Sequence, residues 1–203
     1  MPHPNRLLPL LTGLLLPLAA QAANVIVTVS DAGGRPAADA VVMLEPTTGK
    51  APLKPLPQVD ITQAKRTFTP KVTVVPTGTP INFPNFDTVR HHVYSFSPAK
   101  VFELKLYSGV PSKPIVFDKP GVVILGCNIH DMMAAWVVVA DTPWYGLAGA
   151  DGKATVANVP AGSYRMRVWH PAMPINTEAP ATTITVGATD LQQATKLALS
   201  ASP

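Results

Sequence analysis

Cys127-Asn128-Ile129-His130-Asp131-Met132-Met133 follows the apolar run Val122-Val123-Ile124-Leu125 after a single glycine. A thiol, an imidazole and two thioethers fall within one seven-residue loop, and Cys127 is the only cysteine of the chain. Copper favours soft sulfur together with imidazole. Two His, one Cys and a long axial Met define an electron-transfer copper site. The loop supplies three such donors, so a second histidine must come from elsewhere, and His91-His92 is the evident source. The run before the loop reads as a strand. Val123, Leu125 and Cys127 share one of its faces, which brings the sulfur out on the core side.

The compartment bears on how a lone cysteine is read. The chain opens with a short segment containing Arg6. An apolar run from Leu7 to Ala20 follows, and then Ala20-Gln21-Ala22, a small-x-small pattern. These are the parts of a secretory signal peptide over residues 1–22, removed after Ala22 or Ala23. The run is too short, and too interrupted by Pro9 and Pro17, for a comfortable membrane span. The expected destination is the periplasm, with no stable membrane insertion after cleavage. A single unpaired Cys in an oxidising compartment is a reactive thiol, an intermolecular bridge or a ligand. His and Met at close spacing favour the ligand.

About 180 residues remain after export, enough for one large or two small domains. Only 14% of residues are charged, Pro numbers 23, and the net charge is +4, falling by one when Arg6 leaves. So mild a surplus gives no argument for nucleic acid. Lys50, Lys54, Lys65, Arg66 and Lys71 read as a solvated loop and strand edge rather than as a docking patch for an acidic partner. The pattern is all-β, short strands divided by turn residues. Strands are expected over 24–30, 39–45, 68–75, 79–83, 93–96, 115–117, 122–127, 136–140, 153–156, 163–169, 182–186 and 193–199. Pro46, Pro52, Pro55 and Pro57 mark a linker.

Three pieces, in order, carry a resemblance. They are Gly78-Thr-Pro-Ile-Asn-Phe83-Pro-Asn85, the interval of six residues from Asn85 to His91, and Phe117-Asp-Lys-Pro-Gly121-Val-Val-Ile-Leu-Gly-Cys127. Ala134-Ala135-Trp136-Val137-Val138-Val139 follows as a closing strand. From about Val72 to Ala140 the chain resembles a cupredoxin, the blue copper family of plastocyanin, pseudoazurin and amicyanin, with a loop of the short amicyanin-like kind. The resemblance implies a Greek-key β-sandwich, one copper ion, and His91, Cys127, His130 and Met133 as its ligands. It also implies redox protein partners such as a c-type cytochrome or a dehydrogenase. Related proteins are often labelled as methylamine-utilisation proteins. Ile129 stands where the family usually has Pro, and Leu125 where it has an aromatic; neither change removes a ligand.

Two ligands are contested. His91 and His92 point to opposite faces of a strand. The Asn85 interval and the order His91-His92-Val93 favour His91, whereas Tyr94 and Phe96, sharing a face with His92, would favour His92 if those aromatics lined the core. Met133 is preferred to Met132 by spacing. Asn85 and Asp87 are candidates to orient the buried histidine. His170 is given no role.

Val25–Glu45, with Asp31-Ala-Gly-Gly-Arg-Pro36, and Gly149–Val168, with Asp151-Gly152 and Pro160-Ala-Gly-Ser-Tyr164, resemble the halves of a carboxypeptidase-regulatory-like (transthyretin-type) sandwich. The expected order is residues 23–56 as its first part with a Pro-rich linker, 57–141 as the copper domain, and 142–203 as its second part. The function read from this is an exported one-electron carrier without enzymatic activity. The alternative is a periplasmic copper storage or delivery protein with the same ligands. A cysteine hydrolase lacks any orienting or oxyanion constellation.

Overall fold

The computed structural model describes residues 22–175 and 177–199, so the expected signal peptide lies, up to residue 21, outside the described residues. Strands make up the fold, and no helix among the described residues is long and apolar enough to cross a membrane. The first flank forms β1 (Ala22–Asp31) and β2 (Val41–Pro46). The central stretch begins with β3 (Val59–Asp60), β4 (Thr62–Ala64), β5 (Thr67–Thr69), β6 (Val72–Pro76) and β7 (Thr79–Asn82). It continues with β8 (His91–Ser97), β9 (Lys100–Tyr107), β10 (Ile115–Phe117), β11 (Gly121–Gly126) and β12 (Ala134–Ala140). The second flank adds β13 (Tyr145–Leu147), β14 (Lys153–Pro160), β15 (Gly162–Trp169), β16 (Ala181–Val186) and β17 (Leu191–Leu197).

Two cores result. In the central stretch a five-stranded sheet, β6-β12-β11-β8-β9, faces a smaller one, β10-β7-β3, with β4 and β5 as a separate hairpin. Phe68, Ile81, Phe83, Val93, Phe117, Val123, Leu125 and Val137 fill the space between them. Along β11, Val123 and Leu125 are buried and their neighbours are not, the period of two that a half-covered strand requires. Cys127 continues the buried face.

The flanks interleave in sequence to build the other sandwich. One sheet is β14-β1-β17 and the other β13-β2-β15-β16, so strands from before and after the central stretch share a core of Val25, Val27, Leu44, Val156, Tyr164 and Val168. The Asp151-Gly152 turn is tight: a Cβ at Gly152, where φ is +73°, would lie 2.4 Å from the Val29 carbonyl oxygen. A small third cluster, with Val41, Val72, Val138 and Trp169, joins the two sandwiches.

Several strand expectations need correction. The run expected as one strand over 68–75 is divided into β5 and β6 around Pro70, whose nitrogen has no hydrogen to donate. The short strands β3, β4 and β13 and the edge strand β9 lie outside the expected ranges, although Phe102-Glu103-Leu104-Lys105 in β9 alternates inward and outward.

Candidate metal centre

β11 and β12 are antiparallel, with Gly126 opposite Ala134, and the loop from Cys127 to Met133 joins them. Two turns shape it, and in the second Met133 N–H donates to His130 O at 2.9 Å. Gly126, just before the cysteine, leaves room for the Tyr94 ring of the paired strand β8, whose Cζ would lie 2.8 Å from a Cβ there. Loop and strand together bury Cys127 and Met133, the latter 2% exposed, and leave Met132 96% exposed.

His91 opens β8 and is fully buried. Its Nδ1 lies 3.8 Å from Cys127 Sγ. The rings of His91 and His130 are 5.1 Å apart between centroids. One ligating atom each from His91, Cys127 and His130 can be chosen so that all lie within 4.8 Å of one another. Met133 belongs to the same core cluster as Cys127.

The two histidines lie on opposite faces of β8, as alternation requires. His91 pairs with Tyr107 and Val93 with Leu104, so β9 carries an extra residue opposite His92, a bulge. Both histidines are buried, but His92 turns away from the cluster. Its Nε2 is 2.9 Å from Glu103 Oε1, and its ring lies against Tyr94. The aromatics sharing its face do not line the core: Phe96 is 78% exposed, while Val93 and Ser95 are buried.

Around His91 the hydrogen bonds form a chain. His91 Nε2 is 2.7 Å from Asp87 Oδ2. The same carboxylate accepts the backbone N–H groups of Lys65, at 2.6 Å, and Arg66, at 2.9 Å. Those two residues make the two-residue turn between β4 and β5, with φ of +53° and +58°, the double left-handed geometry of a type I′ hairpin. Asp87 N–H donates to Asn85 Oδ1, and Asn85 Nδ2 donates to the carbonyls of Val89 and Tyr107. The Arg66 amide first, and then His91, hold the Asp87 carboxyl below the ordinary carboxylate range. Tyr107 donates to Phe83 O and also contacts Gln63, and burial pushes its phenol up to about 12. It stays protonated at neutral pH.

Sequence reasoning placed Asn85 and Asp87 beside the histidine but missed the turn that grips Asp87. Ala64-Lys65-Arg66-Thr67 lacks the Asn-Gly or Asp-Gly that usually announces this turn. His170 stands apart: its Nε2 donates to Ala38 O, and its Nδ1 accepts from Ala172 N–H.

The donor set fits a metal. His130 Nδ1 is buried and has no hydrogen-bond partner. A nitrogen so placed loses its water without compensation unless something else engages it. Two imidazoles, a thiolate and a thioether suit a single copper ion better than a hard cation.

No protein-family model and no curated protein matches the chain. Solved structures do. A copper-containing nitrite reductase (NirK) from Thermus scotoductus SA-01 is 28% identical, over 47% of this chain and 25% of that one, with a TM-score of 0.39. The chain thus spans about a quarter of that enzyme. A purple cupredoxin from Nitrosopumilus maritimus is 24% identical, over 41% of this chain and 98% of that one, with a TM-score of 0.35. A reduced Cu(I) form of an amicyanin variant is 17% identical, over 45% of this chain and 100% of that one, with a TM-score of 0.38.

Proposed function

We propose that this protein is an exported type 1 copper protein that carries single electrons between redox partners. His91 through Nδ1, Cys127 as thiolate, His130 through an imidazole nitrogen and Met133 through its thioether would hold the copper. Copper, when bound, supplies the one-electron Cu(II)/Cu(I) couple. The observation that carries the reading is the convergence of His91, Cys127 and His130 in a site that already fixes its buried imidazole. A carboxylate on the far nitrogen of a ligating histidine sets its tautomer and raises its basicity. The Asp87 contact leaves Nδ1 free to face the sulfur.

Burial supports a carrier over a storage or delivery protein. His91, Cys127 and Met133 are buried and His130 is partly exposed, so little of the donor set is open to exchange. A preorganised site keeps its ligands nearly still as the charge changes, which an electron carrier requires and a delivery protein does not. Export is read from the leader, and Ala23, packed in the flanking core opposite Val159, favours cleavage after Ala22. Residues 57–141 are the copper domain. We assign residues 23–56 and 142–203 to the sandwich that receives it, whose described strands are β1, β2 and β13 to β17, and place no catalytic residue in either.

The visible spectrum tests the site. The oxidised, copper-loaded protein should be intensely coloured by sulfur-to-copper charge transfer, and Cys127→Ser should abolish the colour. His91→Ala should do the same, whereas His92→Ala should keep it. A colourless Cu(II) form of folded wild type would overturn the assignment. Rapid, complete loss of Cu(I) to a moderate chelator at neutral pH would move the function to copper handling.

A further inference from the structure

We propose that the Lys65–Arg66 turn and the adjacent edge of His130 form a docking surface for a redox protein bearing carboxylates around its own electron-exchange site. The proposal rests on the carrier reading. The turn has two sides. Its backbone N–H groups point inward to Asp87 and so tie it to His91. Both side chains are exposed, and with Thr88, Val89 and His130 they line a cleft beside the metal loop.

These cations lack partners. Arg35, Lys100, Arg165 and Arg167 all form ion pairs with carboxylates. Among the described residues, Lys65 and Arg66 form none, and neither does the exposed Arg90 just before His91. Asp87, the one acid lining the cleft, is already engaged by the two amides and by His91. Asp131 lines a different groove. The turn therefore presents uncompensated positive charge beside the partly exposed histidine.

Apolar surface near the metal loop makes a protein the fitting occupant. Phe86, Val89, Ile129 and Met132 are all exposed, in segments flanking His91 and His130. An apolar centre with charge at its rim is how protein partners combine close contact with steering. The chain's mild overall charge favours this over a nucleic acid. A carboxylate seated on the turn would also lie one backbone link and one side chain from a metal ligand.

The test uses the full exported chain, first without copper. An unlabelled hexaglutamate peptide, added to isotope-labelled protein, should shift the amide resonances of Lys65, Arg66 and Thr88 and the ring resonances of His130. Lys65→Gly with Arg66→Gly removes both charges while suiting the positive φ values, and should abolish those shifts. Shifts centred on Lys113 or Lys119 would overturn the proposal, and so would inorganic phosphate perturbing the turn as strongly at equal concentration. This arm reads the surface whether or not the copper assignment holds. In the copper-loaded, reduced protein, oxidation by hexacyanoferrate(III) at low ionic strength should slow about tenfold in the same double variant, with the gap closing as salt rises. A salt-independent rate, equal in both proteins, would also overturn it.

Discussion

The two sandwiches are made from the same strand-forming residues, yet their interiors differ in kind. The flanking core is Val, Ala and Leu with Met166 and Ile184, and Tyr164 is the one aromatic among its buried residues. The central core adds Phe68, Phe83 and Phe117, and it is the one that admits polar groups. Among the described residues, all the buried polar ones except Thr142 lie from Gln63 to Ser95. The buried side-chain atoms without partners, Gln63 Oε1, Thr73 Oγ1, His92 Nδ1 and His130 Nδ1, all belong to the central stretch too. An interior with unsatisfied polar atoms is a poor way to gain stability. It suits a site that must place donors where water cannot reach. The flanking sandwich does the reverse, closing an apolar core from strands far apart in sequence.

The largest effect that could break this contrast comes from matched cavities. Phe83→Ala removes a ring stacked 5.7 Å from Phe102 and should cost about 3–5 kcal/mol, with loss of copper retention. Leu44→Ala in the flanking core should cost about 2–5 kcal/mol and leave the visible spectrum unchanged. Denaturant titration with absorbance as a second probe checks both. If Leu44→Ala bleached the site, the flank would be positioning ligands and the two interiors would not be separable.

A smaller effect sharpens the polar side. Asp87→Asn keeps the size of the side chain but cannot accept from both turn amides and from His91 with a full negative charge. Copper affinity should fall about 10–100-fold, read by competition with a chelator, while the unfolding midpoint of the copper-free protein changes little. An unchanged affinity would mean that packing alone orients His91.

The smallest effect belongs to the seam beside the flank. Burial lowers the pKa of His170, and its neutral Nδ1 accepts from Ala172 N–H. A depressed folded value means that protonation disfavours the native state. The stability is complete above the ordinary histidine value of about 6.5 and is lost as pH falls through the lowered folded value. His170→Asn should flatten that decline between wild-type curves measured at pH 7 and pH 5. Parallel curves would remove His170 from the account.

By itself the sequence determined the all-β class and the donor-rich loop. Those signals are local: alternation sets the faces of β11, and the spacing Cys127, His130, Met133 lies within one hairpin loop. The interleaved flanks were legible for a similar reason, through Asp151-Gly152 and the strands on either side of it. Only the tertiary structure decided which of His91 and His92 lies beside Cys127. Alternation puts them on opposite faces, and which face the core covers was set by packing, with Val93 and Ser95 buried beside His91 and Phe96 turned out to solvent. It likewise decided what holds His91, because the amides of Lys65 and Arg66 reach Asp87 across 21 or 22 residues. Backbone groups recur at every residue, so no side-chain pattern marks which of them a fold will turn toward a carboxylate.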